Sequence, residues 1–512
     1  MSLSQSLGTR AARGILWTGG ASALQLVAIL VLYTTLPIAD MGRFEYALIL
    51  IMFLALAGSL GLNAALVQRR EVDEIHFSSA FWISLGAGLI LAVGVYAVAP
   101  PLGRLLGGSS PLAFQQALRV LALILPCAAV SGIFRARLQR VLDFAAVARA
   151  ELVSVGLFGL YVVPLVLWQP SLGVMIPLTG SVLRELGLLA GLWWESRWYP
   201  RAHLSLAAVR SLLPFAVNFT GSRLTAYLNS HIASLYIFPL LGSTAQGYYR
   251  LAERLTLGPL IRLSTTISHV SLPTFSSIQD DDARLGRGYL RGVQSLVLFL
   301  GPVLVFLIVF GAQVLELLER LPALSVLRLL ALATLFKAMG TMAGSAFMAK
   351  GRADWLLRWS LFNLAVLIPA LYVSTPQGVA TMDALFGGIL IPVRHALAAV
   401  LGRRLSPGIE AVAAVVAGTS LLFLVLSQAL VNRLISLPLS AYLRALARPA
   451  AVVAAVLVSC GAARPWLPGT AAAVLVQGAV VAGIAGTMAI RLFAWSLMTE
   501  YIHSLVGRAP LR

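Results

Sequence analysis

Charge is scarce in this 512-residue chain. Only 11% of its residues are charged and 59% are hydrophobic, against about 25% charged in an average soluble domain. Mean hydropathy is +0.90. These values exclude a soluble globular fold and define a polytopic membrane protein. Acids are scarcer still: 19 Asp and Glu face 38 Lys and Arg, for a net charge of +19. In a soluble protein that excess would point to nucleic acid. In a chain this apolar it reads as basic cytoplasmic loops beside anionic lipid headgroups, with membrane lipids and no nucleic acid as partners. The two cysteines, Cys127 and Cys460, give neither a disulfide framework nor a metal-ligand spacing. The six histidines are scattered and form no HExxH, and no glycine-rich loop ends in Gly-Lys-Ser/Thr. No catalytic residue, metal site or cofactor is therefore assigned, and transport driven by an ion gradient or the membrane potential fits better than ATP hydrolysis. Long polar loops are missing too. The longest, near 195–210 and 276–288, leave no room for a soluble catalytic domain. The first apolar stretch, from about Gly14 to Tyr33, is too long for a signal-peptide core and lacks a cleavage site, so it is expected to remain as the first span.

A spanning helix needs about 20 mostly apolar residues. Such stretches lie near 14–36, 43–66, 78–99, 114–134, 142–167, 172–194, 211–239, 244–275, 289–313, 325–349, 354–374, 378–402, 408–431, 447–466 and 470–494. Arg10 and Arg13, Arg69-Arg70, the Arg135–Arg140 cluster, the Arg197–Arg210 linker, the loop 277–288 and Lys350–Arg352 alternate as cytoplasmic loops. The alternation fails in 350–405, where 378–402 carries Asp383, Arg394 and His395. Keeping the basic loop Arg433–Arg448 inside requires about fourteen true spans, with both termini cytoplasmic. The fold class is all-α.

A weak internal repeat runs through the pattern. Thr18, Ser22 and Gln25 echo Asn218, Ser222 and Thr225, and Gly42, Phe44 and Ala47 echo Gly247, Tyr249 and Ala252. With six helices per half, the two halves would share one orientation. The chain divides accordingly into an N-terminal six-helix lobe (1–200), a C-terminal lobe (201–431) and extra C-terminal helices (432–512).

Against this apolar background, polar residues within spans single themselves out. Leu241-Gly-Ser-Thr is a turn on the non-cytoplasmic side, and after it Arg250, Glu253, Arg254 and Arg262 enter an expected membrane helix. Charges at membrane depth cost several kcal/mol unless they face a partner or a watery cavity. Arg250 and Arg254, four apart, share a helix face. Arg250 has a purely structural reading, pairing with Glu253; Arg254 has less of one. Lys337 is central in span 325–349, and Arg184 and Glu185 sit mid-span in 172–194, adjacent and therefore pointing apart. Asn218, Ser222, Thr225 and Asn229 follow i, i+4, i+7, i+11, one helix face, which is expected to point into the protein because lipid disfavours it. It either hydrogen-bonds packed helices or lines a cavity; Arg223 and His231 lie off it. The acids Glu71, Asp73 and Glu74 read as an exposed charge run.

Together these residues resemble a known family. Arg13-Gly-Ile-Leu-Trp-Thr opens the first helix, Ala39-Asp-Met-Gly-Arg-Phe-Glu-Tyr-Ala the second, and Leu62-Asn-Ala-Ala-Leu-Val-Gln-Arg-Arg leads through Phe77-Ser-Ser-Ala-Phe-Trp into the third. Arg137-Leu-Gln-Arg, Phe144 and Glu151 follow the fourth; Ala245-Gln-Gly-Tyr-Tyr-Arg-Leu-Ala-Glu-Arg begins the eighth, Leu272-Pro-Thr-Phe ends it, and Ala349-Lys-Gly-Arg-Ala-Asp closes the tenth. Their order resembles the polysaccharide (O-antigen and exopolysaccharide) flippases of the MOP exporter superfamily, relatives of the MATE drug exporters and the peptidoglycan-precursor flippase. The resemblance implies two six-helix lobes about a central cavity, in the bacterial inner membrane. It implies alternating access that moves an undecaprenyl-diphosphate-linked oligosaccharide across the bilayer, with the polymerase and glycosyltransferases of one pathway as partners. Carried over by position, Arg254 takes the place of the family's arginine after Gly-Tyr-Tyr, and Lys337 and Arg184 fall where relatives carry a cation. The family's Asn-Leu-Asp-Asn late in the seventh helix is here His231-Ile-Ala-Ser, without the acid. The cavity set is then Arg254, Lys337, Arg184, Asn218, Ser222, Thr225, Asn229, Arg223, Arg250 and Gln25. Two other classes compete. A MATE-like small-molecule antiporter expects cavity acids, and a membrane-embedded glycosyltransferase or polymerase expects a large loop with catalytic acids.

Overall fold

The computed structural model describes Gly20, residues 24–277 and 281–373 except 70 and 109, residues 408–489 except 468, and Arg491. All regular structure among these residues is helical. Helix α1 (Leu24–Thr35) is followed by α2 (Ile38–Gly58), α3 (Leu62–Gln68), α4 (Glu74–Leu106), α5 (Pro111–Leu121), α6 (Ile124–Arg140), α7 (Phe144–Trp168), α8 (Met175–Ser196) and α9 (Leu206–Ser277). Then come α10 (Asp282–Leu317), α11 (Leu324–Ala349), α12 (Ala353–Val373), α13 (Ile409–Leu434), α14 (Leu439–Ala463) and α15 (Ala471–Ala489). Ten helices among the described residues are long and apolar enough to cross a membrane. Helix α4 has 33 residues, which at about 1.5 Å per residue exceeds the roughly 30 Å of hydrocarbon. The segment 378–402, with Asp383, Arg394 and His395, lies outside the described residues, as do Thr18 and Ser22 of the repeat.

Long apolar helices cannot hide their backbones in lipid by any means other than internal hydrogen bonding. Their packing then depends on shape. The expected turn at 241–244 shrinks to one residue: α9 is helical on both sides of Gly242, whose φ of 83° and ψ of 176° break it in two. Only glycine visits that region at little cost. Just past the break, a Cβ on Gly247 would meet the Ile38 carbonyl oxygen at 2.2 Å, and one on Gly42 would meet that of Ser243 at 1.8 Å. The two glycines paired in the repeat therefore form the same crossing, between the start of α2 and residues 243–247. The other pairs also share their environment, since Phe44, Tyr249, Ala47 and Ala252 are all buried.

The packing separates two compact units, residues 1–247 and 248–512. In the first, α3, α4, α6, α7 and the start of α9 bury Leu66, Phe77, Phe134, Ala150 and Leu212 around Trp198. One end of this unit is polar and closely tied. Arg137 pairs with Glu74 at 2.7 Å and lies over the rings of Phe77 and Trp198. The Trp198 indole donates to the same carboxylate at 2.5 Å. Glu74 is thus a partner, while Glu71 and Asp73 are exposed as expected. Arg140 donates to the carbonyls of Leu66 and Arg69 at the end of α3, where helix carbonyls lack intrahelical partners. Arg149 grips Glu195 with two parallel bonds of 2.8 and 2.7 Å. The linker after α8 is tied to α4: Ser78 and Ser79 accept the backbone N–H groups of Arg201 and Ser205, and Trp82 donates to the Arg201 carbonyl.

In the second unit α10 is central, packing against α11, α14 and α15. One cluster joins Tyr289, Leu296, Met342, Phe347 and Val431; another joins Phe310, Val456, Cys460 and Val474. The extra C-terminal helices α14 and α15 are thereby part of this unit. Its buried polar groups are chained, with the Tyr289 hydroxyl donating to Gln428 and the Gln428 amide to Asn432, both at 2.7 Å.

Candidate functional site

The second unit holds the densest group of sequence-selected charges. Residues 248–258 present a mixed helix surface. Leu251, Ala252 and Thr256 are buried, and the Thr256 hydroxyl satisfies itself on the Ala252 carbonyl at 2.9 Å. Arg250 and Arg254, one turn apart, keep partial exposure. Arg250 and Glu253 form an i,i+3 ion pair with side chains only 11% and 9% exposed. The pairing read as the structural alternative for Arg250 is thus present, and it is enclosed. Leu257, one turn beyond Glu253 on the same face, packs on Leu300, Leu304, Ala331 and Ala338. That contact sets the Glu253 face beside the middle of α11, where Lys337 follows buried Thr334 and precedes buried Ala338. Lys337 itself is half-buried. Arg250 and Glu253 therefore form a pair, with Arg254 one turn beyond Arg250 and Lys337 on α11, the helix that Leu257 packs against. The side chain of Arg262 lies outside the described residues.

Such a group can hold an anion. Arginine offers planar paired donors and lysine a compact point charge, and both suit phosphate oxygens. Removal from bulk water strengthens the attraction several-fold.

The first unit holds the remaining selected residues. Arg184 and Glu185 do point apart: Glu185 is turned inward at 6% exposure, while Arg184 is partly exposed. Gln25, Thr225 and Asn229 are also partly exposed. On the polar stripe of α9, Asn218 and Ser222 are exposed, as is Arg223, so these positions are not packed against other helices. The buried face of this helix is that of Val209, Leu212 and Ala216, in the core around Trp198. Asn218 hydrogen-bonds its own helix, at the Pro214 carbonyl, so helix–helix bonding does not account for it. Lower on the helix, Tyr227 donates to the Ile49 carbonyl at 3.0 Å and ties α9 to α2. Sequence reasoning passed over Tyr227, and also the link from Glu253 to Lys337. The i,i+3 spacing of Arg250 and Glu253 was the only local signal for the latter group.

Spanning helices in this order, with fixed cations set among them, define a multi-pass membrane protein. Its fold is that of the flippase MurJ and the MATE transporters. The solved structure of "Lipid II flippase MurJ, inward closed conformation" matches 94% of this chain and 99% of its own, with a TM-score of 0.71 at 13% identity. An inward-facing multidrug resistance MATE family transporter of the MOP superfamily matches 81% of this chain and 94% of its own, with a TM-score of 0.61 at 16% identity. The family model described as polysaccharide biosynthesis protein matches residues 35–318. The chain belongs to that family. Among its relatives, the lipopolysaccharide biosynthesis protein WzxC of Escherichia coli (strain K12) is 26% identical over 397 residues, 76% of this chain and 80% of the relative. The succinoglycan biosynthesis transport protein ExoT of Rhizobium meliloti (strain 1021) is 28% identical over 305 residues, 57% of this chain and 60% of the relative.

Proposed function

We propose that the protein is a flippase that moves an undecaprenyl-diphosphate-linked oligosaccharide between leaflets of the bacterial inner membrane for polysaccharide export. It works by alternating access and is not an enzyme. Both termini are cytoplasmic. The observation that carries the reading is the enclosed Arg250–Glu253 pair with Arg254 beside it, and Lys337 on the helix its face packs toward, in a chain of the polysaccharide biosynthesis family. A lipid diphosphate carries two or more negative charges and cannot cross hydrocarbon alone. Fixed cations replace its hydration. Exposed Asn218, Ser222 and Arg223 offer hydrogen bonds to sugar hydroxyls, and Arg184 offers a further cation. The prenyl tail stays in lipid throughout.

The MATE likeness raises a second reading, a small-molecule antiporter. Cationic drugs call for uncompensated acids, whereas Glu253 is already paired with Arg250. Export in a strain lacking the endogenous gene tests the choice. Arg254→Ala and Lys337→Ala abolish surface polysaccharide at normal protein level; wild-type polysaccharide in both variants refutes the cationic site.

A further inference from the structure

We infer that Glu253 is an internal counter-anion: it holds the cations of the site while the site is empty and yields them to the substrate's phosphates on loading. The inference rests on the flippase reading above and concerns release, which that reading leaves open.

Two buried cations close together repel one another and are costly without an anion. Glu253 supplies one. It pairs directly with Arg250, both side chains being nearly enclosed. Leu257, on the same face, packs against Ala331 and Ala338 of α11, the helix that carries Lys337, so the Glu253 face is fixed toward that helix. The substrate's diphosphate is an anion that competes with Glu253 for these cations. A site with the same cations and no acid would hold that anion more tightly in both access states. A transporter gains nothing from uniform tightness, because the substrate must leave as readily as it enters. The carboxylate also rejects an unoccupied resting state in which chloride or free phosphate lodges, since it competes with any anion that offers fewer contacts. Its position three residues, about one turn, from Arg250 makes the exchange local: phosphate oxygens take over the Arg250 donors, and Glu253 retains the length to withdraw along its own helix.

The test is binding of farnesyl diphosphate, a short prenyl diphosphate, to the purified full chain in detergent, together with export in cells. Glu253→Gln keeps the shape and removes the charge. It is expected to bind the probe about tenfold more tightly than wild type while export falls. Glu253→Asp keeps the charge and is expected to restore both toward wild type. Should Glu253→Gln not run as a monodisperse species, Glu253→Asn, smaller and neutral, is expected to move affinity in the same direction. Unchanged or weaker binding by the neutral variants, with wild-type binding intact, overturns the inference alone and leaves Glu253 as a structural partner of Arg250. Failure of wild type and every variant to bind the probe overturns the flippase reading and the inference with it.

Discussion

Substituting Gly42 by alanine probes the crossing on which the first unit turns. The added Cβ would sit 1.8 Å from the Ser243 carbonyl oxygen and 2.9 Å from the Gly247 nitrogen. Both are backbone atoms of a helix just past the Gly242 break, so no side chain can swing aside. The helices must separate by more than an ångström to reach ordinary contact. Forcing extra volume into a packed site costs about 1–3 kcal/mol, and more where the backbone must move. The offsetting gain in helix propensity from Gly to Ala is at most about 1 kcal/mol. Because the backbone itself must move here, the cost lies at the upper end and a net loss of roughly 2 kcal/mol remains; at about 2–4 °C per kcal/mol for a unit of this size the unfolding midpoint drops by several degrees. Thermal unfolding of the detergent-solubilised chain reads it, with Gly94→Ala as control, because nothing lies within 4 Å of a Cβ there. Gly247→Ala, at 2.2 Å from the Ile38 carbonyl, lowers the midpoint similarly. An unchanged midpoint for both crossing variants, alongside an unchanged control, refutes the crossing.

Other consequences follow from the linker and the stripe. Ser78→Ala with Ser79→Ala deprives two backbone N–H groups of their acceptors, a loss of about 1–3 kcal/mol each where the group stays buried; trypsin then cleaves the linker at Arg197 or Arg201 several-fold faster than in wild type, and equal rates would show that the linker is held elsewhere. Ser222→Cys, in a chain whose two cysteines are replaced by alanine, reacts readily with a water-soluble maleimide because that face is exposed. Ser420→Cys, at a buried position, stays unreactive. Lack of reaction at position 222 would place the stripe against lipid.

Much of the helix map was legible because a 20-residue apolar run has few alternatives in lipid. Spans 211–239 and 244–275 correspond to the two limbs of α9, and 354–374 corresponds to α12. The break between the limbs was legible as Gly242, though not its reduction to one residue. The pairing of Gly42 with Gly247 was visible only as a repeat; that the two touch is a long-range fact that no local pattern carries. The Phe77-Ser-Ser-Ala-Phe-Trp motif was recognisable as a family feature, and the fold supplies its reason: Ser78, Ser79 and Trp82 hold the linker. The polar stripe left two readings open because a hydrophobic pattern separates lipid from non-lipid faces but does not separate a packed face from a wet one. For the site, Arg250 and Glu253 were readable from spacing. Lys337 stood out from its depth, but its neighbour Glu253 is distant in sequence, and only the packing of Leu257 on α11 brings them together.

The central claim is that enclosed cations in this chain carry a lipid-linked anion across a bilayer. The most direct measurement is translocation by the purified protein in liposomes. A fluorescent undecaprenyl-diphosphate oligosaccharide is placed in one leaflet, and its arrival in the other is read by an impermeant quencher. Wild-type protein is predicted to move the lipid well above protein-free liposomes, while the Arg254→Ala, Lys337→Ala double variant, reconstituted to the same density, falls to background. Equal translocation by wild type and the double variant would contradict the account.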